Sequence, residues 1–266
     1  MKYHNHKIMM FICATAFSVT ACSNSNSFSD PIDFETPSEV PNPIPTQGTA
    51  KTFTTTADGT YSLAEGEAKL FDGVSMAPTT IEIDKNKKFQ TIDGFGYAIT
   101  YSSCYNLMKM NSEARLALLK RIYSTTEGYG VSYARISLGC NDFSSTEYTY
   151  CDKKGSENDP ISNFELYSDE NNYVIPILKE ILSINPSLKI IAAPWTCPKW
   201  MKVADIDTNT PKDSWTDGHL NPDYRETYAK YFVKFINVMK EKGINIYAVS
   251  PQNEPLNKAN CASLYM

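Results

Sequence analysis

The apolar residues beyond Thr91 follow the two periodicities of alternating strands and helices. Residues 174–182 carry apolar side chains at i, i+3, i+4, i+7 and i+8, the stripe of a helix that buries one face. Short apolar runs at 131–138, 189–193 and 245–250 are typical of buried strands. The pattern therefore predicts a parallel sheet covered by helices.

Two more helices begin at recognisable capping residues. Asn111 or Ser112 caps the first, and Asn221 with Pro222 opens the last, which ends near residue 243. The links from strand to helix, at about 139–168 and 194–221, are long, whereas those from helix to strand are short. Because loops after strands build the active face of a (β/α)8 barrel, this favours a barrel over an open doubly wound sheet.

The first 22 residues predict an export signal. A basic start with Lys2 and Lys7 leads into an apolar run that ends at Cys22. The last four residues resemble the lipobox of bacterial lipoproteins, in which the cysteine is lipidated. We therefore expect a membrane anchor through lipid on Cys22 and a place in the cell envelope, periplasmic or at the cell surface. The alternative is an ordinary signal peptide with Cys22 as a bystander.

Two segments separate this signal from the strand–helix pattern. Residues 23–48 are rich in Ser, Asn, Pro and Thr, so they predict a disordered tether. Residues 49–90 are rich in Thr and aromatic residues and are broken by Asp-Gly pairs at 58–59 and 72–73. They predict antiparallel strands of a side domain, and residues 91–266 predict the barrel.

The composition of the chain limits the partners and the kinds of catalytic site that it can have. The chain has 266 residues, 42% of them hydrophobic, and a formal net charge of −5, so we expect no nucleic-acid partner. Beyond the signal the only histidine is His219, which excludes a metal site with two histidines and favours carboxylate chemistry. The five later cysteines show no CxxC spacing, so we expect no metal and no cofactor. Burial of these cysteines is favoured over a Cys140–Cys151 disulfide.

The sharpest local signal lies at residues 251–255, Pro-Gln-Asn-Glu-Pro, directly after a predicted buried strand. Two prolines fix the backbone where the strand ends, so Asn253 and Glu254 are presented at the rim of the sheet. This predicts a catalytic carboxylate beside an amide. The alternative is a structural turn in which both residues act as caps.

Other strand ends carry residues that suit a sugar. Arg135 lies inside an apolar strand and is expected to need a carboxylate partner, either functional or in a structural ion pair. Asp142 and Phe143 follow the same strand, and Trp195 follows the next. Aromatic faces and hydrogen-bonding acids around one rim match the C–H faces and hydroxyls of a carbohydrate. The alternative for Trp195 is core filling.

These residues belong to motifs that resemble glycoside hydrolase family 30. The motifs are TIDGFG at 91–96, RIS at 135–137, DFS at 142–144, APWTCP at 193–198, WMK at 200–202, YFVKF at 231–235 and QNEP at 252–255. They occur in the order seen in that family, which includes glucosylceramidases and endo-β-1,6-glucanases. The resemblance covers roughly residues 85–266.

The resemblance implies a (β/α)8 barrel with a side β-sandwich and retaining hydrolysis of β-glucosides. It implies that Glu254 is the general acid/base, kept protonated by apolar surroundings or a neighbouring carboxylate. It also implies that Asn253 bonds the sugar 2-hydroxyl, that Asp142 and Trp195 line the glucose subsite with Phe143 beside them, and that Arg135 orders the carboxylates.

The sequence departs from the family pattern in two places. Thr100 is followed by Tyr101, where glucosylceramidases commonly have Asp, which favours a β-glucan substrate over glucosylceramide. In addition, the family nucleophile lies on strand seven, and no residue in this chain matches it. We therefore expect a barrel truncated after about strand four, with that strand as an exposed edge and without glycosidase turnover.

Three alternatives to a β-glucanase remain open. One is a glucosylceramidase acting on glycosphingolipid. Another is a glycan-binding lipoprotein without catalysis, which would use Trp195 and Asp142 as a sugar platform. The third is a doubly wound binding domain, although Gly94 and Gly96 lack the third glycine of a dinucleotide fingerprint.

Overall fold

The computed structural model describes residues 46–71, 79, 81–258 and 262–266, which fall into two units, Met1–Thr91 and Ile92–Met266. In the first unit β1 (Thr46–Thr54) pairs antiparallel with β2 (Ala64–Phe71). The predicted Asp58-Gly59 break lies between them. β1 begins inside the predicted tether, and residues 81–91 contain no strand. The predicted signal, Cys22 and the 72–73 break lie outside the described residues.

The second unit is built on a four-stranded parallel sheet. Its strands are β3 (Gly96–Ala98), β4 (Tyr133–Ser137), β5 (Lys189–Ala193) and β9 (Ile246–Val249), and they neighbour each other in that order. Each parallel strand thus pairs with the one before it. A doubly wound sheet reverses its order at a switch point, so this sequential order matches the winding of a barrel.

Four α-helices of the described residues accompany this sheet. They are α1 (Tyr101–Lys109), α2 (Ser112–Tyr123), α3 (Ile175–Ile184) and α4 (Arg225–Glu241). The sequence analysis missed α1, because Ser and Asn interrupt any apolar stripe and only Cys104 is buried. Thr100 caps it by accepting from the backbone N–H of Ser103. The predicted cap Asn111 is confirmed.

Two helices begin with irregular turns. A π-helical turn, Glu170–Val174, precedes α3, and a 3₁₀ turn, Pro222–Tyr224, precedes α4. Asn221 caps that 3₁₀ turn, as predicted for the start of the last helix, although regular α-helix begins only at Arg225. None of the helices in the described part of the chain has the length and apolar character that a membrane span requires.

The long link between β5 and α4 contains a 3₁₀ turn, Lys199–Met201, and a small antiparallel sheet. Its strands are β6 (Lys202–Asp205), β7 (Thr210–Pro211) and β8 (His219–Leu220), with β6 in the middle. His219 therefore flanks the last helix from a short strand, with its ring 5.1 Å from that of Tyr265. This structured loop covers the carboxyl end of β5, where Trp195 lies.

The core lies between the parallel sheet and its helices. Along β4, Ala134 and Ile136 are buried towards the helices, whereas Arg135 is half-buried on the opposite face. Ile177, Leu178 and Ile181 supply the buried stripe of α3, as the periodicity predicts.

The cysteines were expected to be buried, and this prediction is confirmed for the four that the structure describes, namely Cys104, Cys140, Cys151 and Cys197. Cys151 forms no disulfide.

β9 departs from its sequence-based prediction as a buried strand. Tyr247 is 57% and Val249 38% exposed, and β9 is the edge of the sheet within the described residues. The prediction of a buried strand is wrong, because the apolar content of a segment does not show which neighbouring elements cover it.

Candidate active site

Three predicted residues meet where β4, β5 and β9 end. Arg135 Nη2 donates to Asn253 Oδ1 at 2.8 Å, and the Arg135 guanidinium carbon lies 5.0 Å from the centroid of the Trp195 ring. Because parallel strands end at the same edge of the sheet, residues more than a hundred positions apart come into contact there. A guanidinium over an indole face is a favourable cation–π contact.

The expected carboxylate partner of Arg135 is not found among the described residues. Its hydrogen-bond acceptor is the amide oxygen of Asn253, and no ion pair among the described residues includes Arg135. The carboxylate of Glu254 instead accepts from Asn257 Nδ2 at 2.7 Å. Arg135 therefore orients the neighbouring amide rather than the carboxylate itself.

Glu254 lies on a strained turn at the rim. Its φ of +46° is in the left-handed region that favours glycine, and its side chain is exposed. The turn is anchored on both sides, since Asn253 N–H donates to the carbonyl of Pro194 at 2.8 Å and Asn257 N–H donates to that of Glu254 at 2.9 Å. The expected apolar enclosure of Glu254 is not formed by the residues that the structure describes.

Trp195 is more enclosed than a stacking platform would be. It is 8% exposed, and its indole N–H has no hydrogen-bond partner among the described residues. Its ring face is covered in part by Arg135. The burial of the ring agrees with the core-filling alternative. The indole N–H does not, because buried donors are normally hydrogen-bonded and this one has no acceptor among the described residues.

Asp142 and Phe143 lie on the loop after β4 and are both exposed. The loop is organised by Asn141, a buried residue that the sequence analysis did not single out. Its Oδ1 accepts from Phe143 N–H at 2.8 Å, and its Nδ2 donates to Ser137 Oγ at 3.2 Å. An Asn whose side-chain oxygen accepts from the backbone N–H two positions later forms an Asx-turn, and Asn before a loop is the sequence signal that could have identified this position. Asp142 is thus presented to solvent on a fixed loop.

Gln252 is a further residue that sequence reasoning quoted within a motif but left without a role. It is buried, and its Nε2 donates to the carbonyl of Trp195 at 2.7 Å and to that of Asn253 at 2.9 Å. It therefore links the ends of β5 and β9. No sequence signal distinguishes this amide from any other rim residue.

Two buried charged residues were also missed. Burial raises the pKa of Glu170 to about 7, against the lowering effect of hydrogen bonds from the hydroxyls of Tyr148 and Tyr150. Burial lowers the pKa of Lys202 to about 8. Lys202 Nζ lies within 3.2 Å of four oxygens from the loops around Thr196, Ser214 and Ser263. It therefore fastens the loop after β5 to the segment after Glu254.

Other features of the second unit do not suit the reaction. An apolar groove of about 600 Å³ lies between α4 and β9 and is lined by Tyr228, Phe232 and Val249 among others. It offers few polar groups to hydroxyls. In the described ranges no group of three or more His, Cys, Asp or Glu side chains is placed to hold a metal ion. The Arg135–Trp195–Asn253–Glu254 cluster is therefore the candidate site.

The comparison with protein families decides the identity of this fold. The model of the glycosyl hydrolase family 30 TIM-barrel domain matches residues 92–263. The chain belongs to glycosyl hydrolase family 30. The match begins at the border of the second unit and includes every residue of the candidate site, so the family 30 motifs of the sequence analysis are confirmed.

Individual family 30 proteins give a consistent picture. The chain is 32% identical over 228 residues to "Putative glucosylceramidase 1" of Caenorhabditis elegans, covering 82% of this chain and 40% of that protein. It is 31% identical over 240 residues to "Endo-1,6-beta-D-glucanase BGN16.3" of Trichoderma harzianum, covering 86% and 48%. The solved structure of the endo-beta1,6-glucanase BT3312 matches with 55% identity and a TM-score of 0.70, covering 82% and 45%. The chain thus spans less than half the length of these relatives.

Proposed function

We propose that this family 30 chain carries the acid/base side of a retaining β-glycosidase that cleaves β-1,6-linked glucan. The observation that carries the proposal is the contact of Arg135 with both Asn253 and Trp195 at the strand ends, next to Glu254. Glu254 would protonate the leaving oxygen of the glycosidic bond. Asn253, fixed by Arg135, would bond the sugar 2-hydroxyl, a contact that tightens in an oxocarbenium-like transition state.

The remaining contacts of the sugar follow from the same rim. The indole N–H of Trp195, which has no hydrogen-bond partner among the described residues, is a donor suited to a sugar hydroxyl. Asp142 would accept from further hydroxyls, and the exposed ring of Phe143 would stack beside them. These assignments explain why a buried donor and an exposed carboxylate are kept at one edge of the sheet.

A retaining mechanism also needs a nucleophile. The second carboxyl group must lie about 5 to 5.5 Å from the first. No residue of the 266 matches the family's nucleophile motif, so we expect residues 1–266 by themselves to show no turnover. In a retaining mechanism this second carboxylate would attack the sugar from the face opposite the leaving oxygen that Glu254 would protonate.

Two observations bear on the substrate. Tyr101 follows Thr100 at the end of β3, where a glucosylceramidase pattern has Asp, and the 55% identical structure is an endo-β1,6-glucanase. Both favour a glucan. The similarity to putative glucosylceramidases of Caenorhabditis elegans supports glucosylceramide as the second candidate. A glycan-binding role without catalysis is the third.

The location is also a proposal. The resemblance of the residues ending at Cys22 to a lipobox supports an exported lipoprotein of the cell envelope, and the segment between Cys22 and β1 would hold the catalytic unit away from the membrane. Labelling of the expressed protein with a radioactive fatty acid, with Cys22→Ser as the matched control, would test the anchor. Equal labelling of both proteins would contradict it.

The function is best tested in a chimera with the 55% identical relative. Residues 92–263 replace the matching part of the endo-beta1,6-glucanase BT3312, so that the barrel contains both halves. We expect release of glucose oligosaccharides from β-1,6-glucan with retained anomeric configuration, and none from residues 1–266 alone. Faster release from glucosylceramide than from glucan would favour the second candidate. A well-folded chimera that binds glucan without cleaving any β-glucoside would favour the third.

A further inference from the structure

Gln252 is the polar side chain that joins the two strand ends of the candidate site. It is 6% exposed, and its amide nitrogen lies 2.7 Å from the carbonyl oxygen of Trp195 and 2.9 Å from that of Asn253. The backbone carbonyl of Gln252 accepts a hydrogen bond from Ser250 Oγ at 3.1 Å. Both protons of the Gln252 amide are therefore used on the backbone of the two predicted sugar-binding residues.

The orientation of this amide is fixed by its surroundings. Turning it over would place Oε1 against two carbonyl oxygens, which repel it. In the observed orientation Oε1 is buried and has no partner among the described residues. A buried acceptor without a hydrogen-bond partner destabilises the folded state. The two hydrogen bonds to Trp195 and Asn253 must offset this cost.

We propose that Gln252 is a positioning residue that fixes Trp195 and Asn253 relative to each other. This inference rests on the proposed function, because it takes these two residues as sugar ligands. The backbone of Asn253 is connected to the segment after β5 in two ways. Its N–H donates to the carbonyl of Pro194, and its carbonyl accepts from the Gln252 amide that also donates to the carbonyl of Trp195. Its side chain consequently meets Arg135 at 2.8 Å without adjustment by the sugar.

Replacement of the amide by a carboxyl group of the same shape tests the proposal in the full chain. In Gln252→Glu the protonated side chain can donate to one of the two carbonyls, whereas the ionised form faces two carbonyl oxygens with no proton to offer. The folded site therefore favours the protonated form. As pH rises and the side chain ionises, the hydrogen bond from residue 252 to the backbone carbonyls of Trp195 and Asn253 is lost. Gln252→Leu cannot donate at any pH. Gln90→Glu makes the same chemical change at an exposed position.

The measurement is amide hydrogen exchange by NMR at pH 5 and pH 8, expressed as protection factors. We expect the Asn253 amide of Gln252→Glu to be within threefold of wild type at pH 5 and at least tenfold less protected at pH 8. Gln252→Leu is expected to lose this protection at both pH values. Gln90→Glu should match wild type, and the Leu138 amide, which donates to Ala193, should be unchanged throughout.

The outcomes separate this inference from the proposed function. Wild-type protection of Asn253 in both Gln252 variants at pH 8 would overturn the inference, as would an equal loss at Leu138, which would show general loosening. In parallel, binding of the β-1,6-linked disaccharide gentiobiose should weaken at least tenfold in Gln252→Glu at pH 8 and recover at pH 5. If wild type binds no gentiobiose, the proposed function fails. The exchange data still decide whether Gln252 fixes Trp195 and Asn253 relative to each other.

Discussion

Two glutamates of the barrel unit lie in opposite environments. Glu170 is 3% exposed before α3, with one carboxyl oxygen bonded by the hydroxyls of Tyr148 and Tyr150 at 2.7 and 3.0 Å and the other without a partner among the described residues. Glu254 is exposed on a left-handed turn at the rim, beside the amide that Arg135 holds. Burial raises the pKa of Glu170 to about 7.

This difference teaches that an unusual pKa is a poor guide to catalysis by itself. A carboxyl group that titrates near neutral pH is often sought as a general acid. Glu170 meets that criterion, but it is closed to solvent and surrounded by core tyrosines, so no glycosidic oxygen can reach it. Glu254 is exposed, and its neighbour Asn253 is the residue proposed to bind the sugar. Access and neighbours therefore identify the acid/base candidate, and burial identifies a structural carboxyl group.

The largest expected effect is on hydrolysis. In the chimera with the second half of BT3312, Glu254→Gln should lower kcat/KM on β-1,6-glucan by about 10³-fold, because the leaving oxygen loses its proton donor. Glu170→Gln should change it by less than threefold. The loss in Glu254→Gln should be much smaller on an aryl β-glucoside with an activated leaving group, which needs no proton.

Steady-state kinetics on both substrates gives the comparison directly. A loss in Glu170→Gln as large as that in Glu254→Gln would break the distinction between the two glutamates. Equal losses of Glu254→Gln on glucan and on the activated glucoside would contradict its role as the acid. Circular dichroism of each variant shows whether the fold is kept.

The next largest effect is on stability. Here Glu170 is expected to matter and Glu254 is not, the opposite of the expectation for hydrolysis. The pKa of Glu170 in the folded chain, about 7, lies above the ordinary value of 4.5, so the folded state binds the proton more tightly. Its contribution is fully present below about pH 4.5 and is lost as pH rises through 7. The loss corresponds to about 3 kcal/mol at pH 8.

Urea unfolding of wild type, Glu170→Gln and Glu254→Gln at pH 5 and pH 8 measures this contribution. Wild type and Glu254→Gln should lose about 2 to 3 kcal/mol more than Glu170→Gln between the two pH values, because a small part of the loss has already occurred at pH 5 and glutamine does not ionise. Parallel pH dependence in all three proteins would show that Glu170 is not the group responsible.

The contrast also shows what the sequence could predict. The stripe at residues 174–182, the strand at 189–193 and the cap at Asn111 follow from local periodicity and capping chemistry, and the structure contains them. α1 was missed, because its helix depends on the Thr100 cap and tertiary contacts rather than on an apolar stripe. β9 was mistaken for a buried strand, because periodicity reports apolar content and cannot report which neighbours are present.

The candidate site divides in the same way. Glu254 and Asn253 could be identified from a motif after a strand, since the motif fixes the local backbone. Their contacts could not be identified, because Arg135 is 118 positions from Asn253 and its acceptor depends on how the strands register. Glu170 carried no signal, since its burial is produced by tyrosines from another loop. Local chemistry was therefore predictable and long-range pairing was not.

The smallest expected effect concerns the strain at Glu254. A φ of +46° disfavours any residue with a Cβ, and glycine removes that penalty. Glu254→Gly should therefore raise the free energy of unfolding by about 0.5 to 1 kcal/mol after the higher entropy of the unfolded glycine is counted. Glu254→Gln keeps the Cβ and should gain nothing, so it is the matched control. Urea unfolding at pH 7 measures both.

A destabilised Glu254→Gly would mean that the contact of the Glu254 carboxylate with Asn257 stabilises the turn more than the strain destabilises it. A gain in glycine alone would show that this turn stores strain at the position that presents a carboxylate, whereas Glu170 lies in a π turn that buries its side chain.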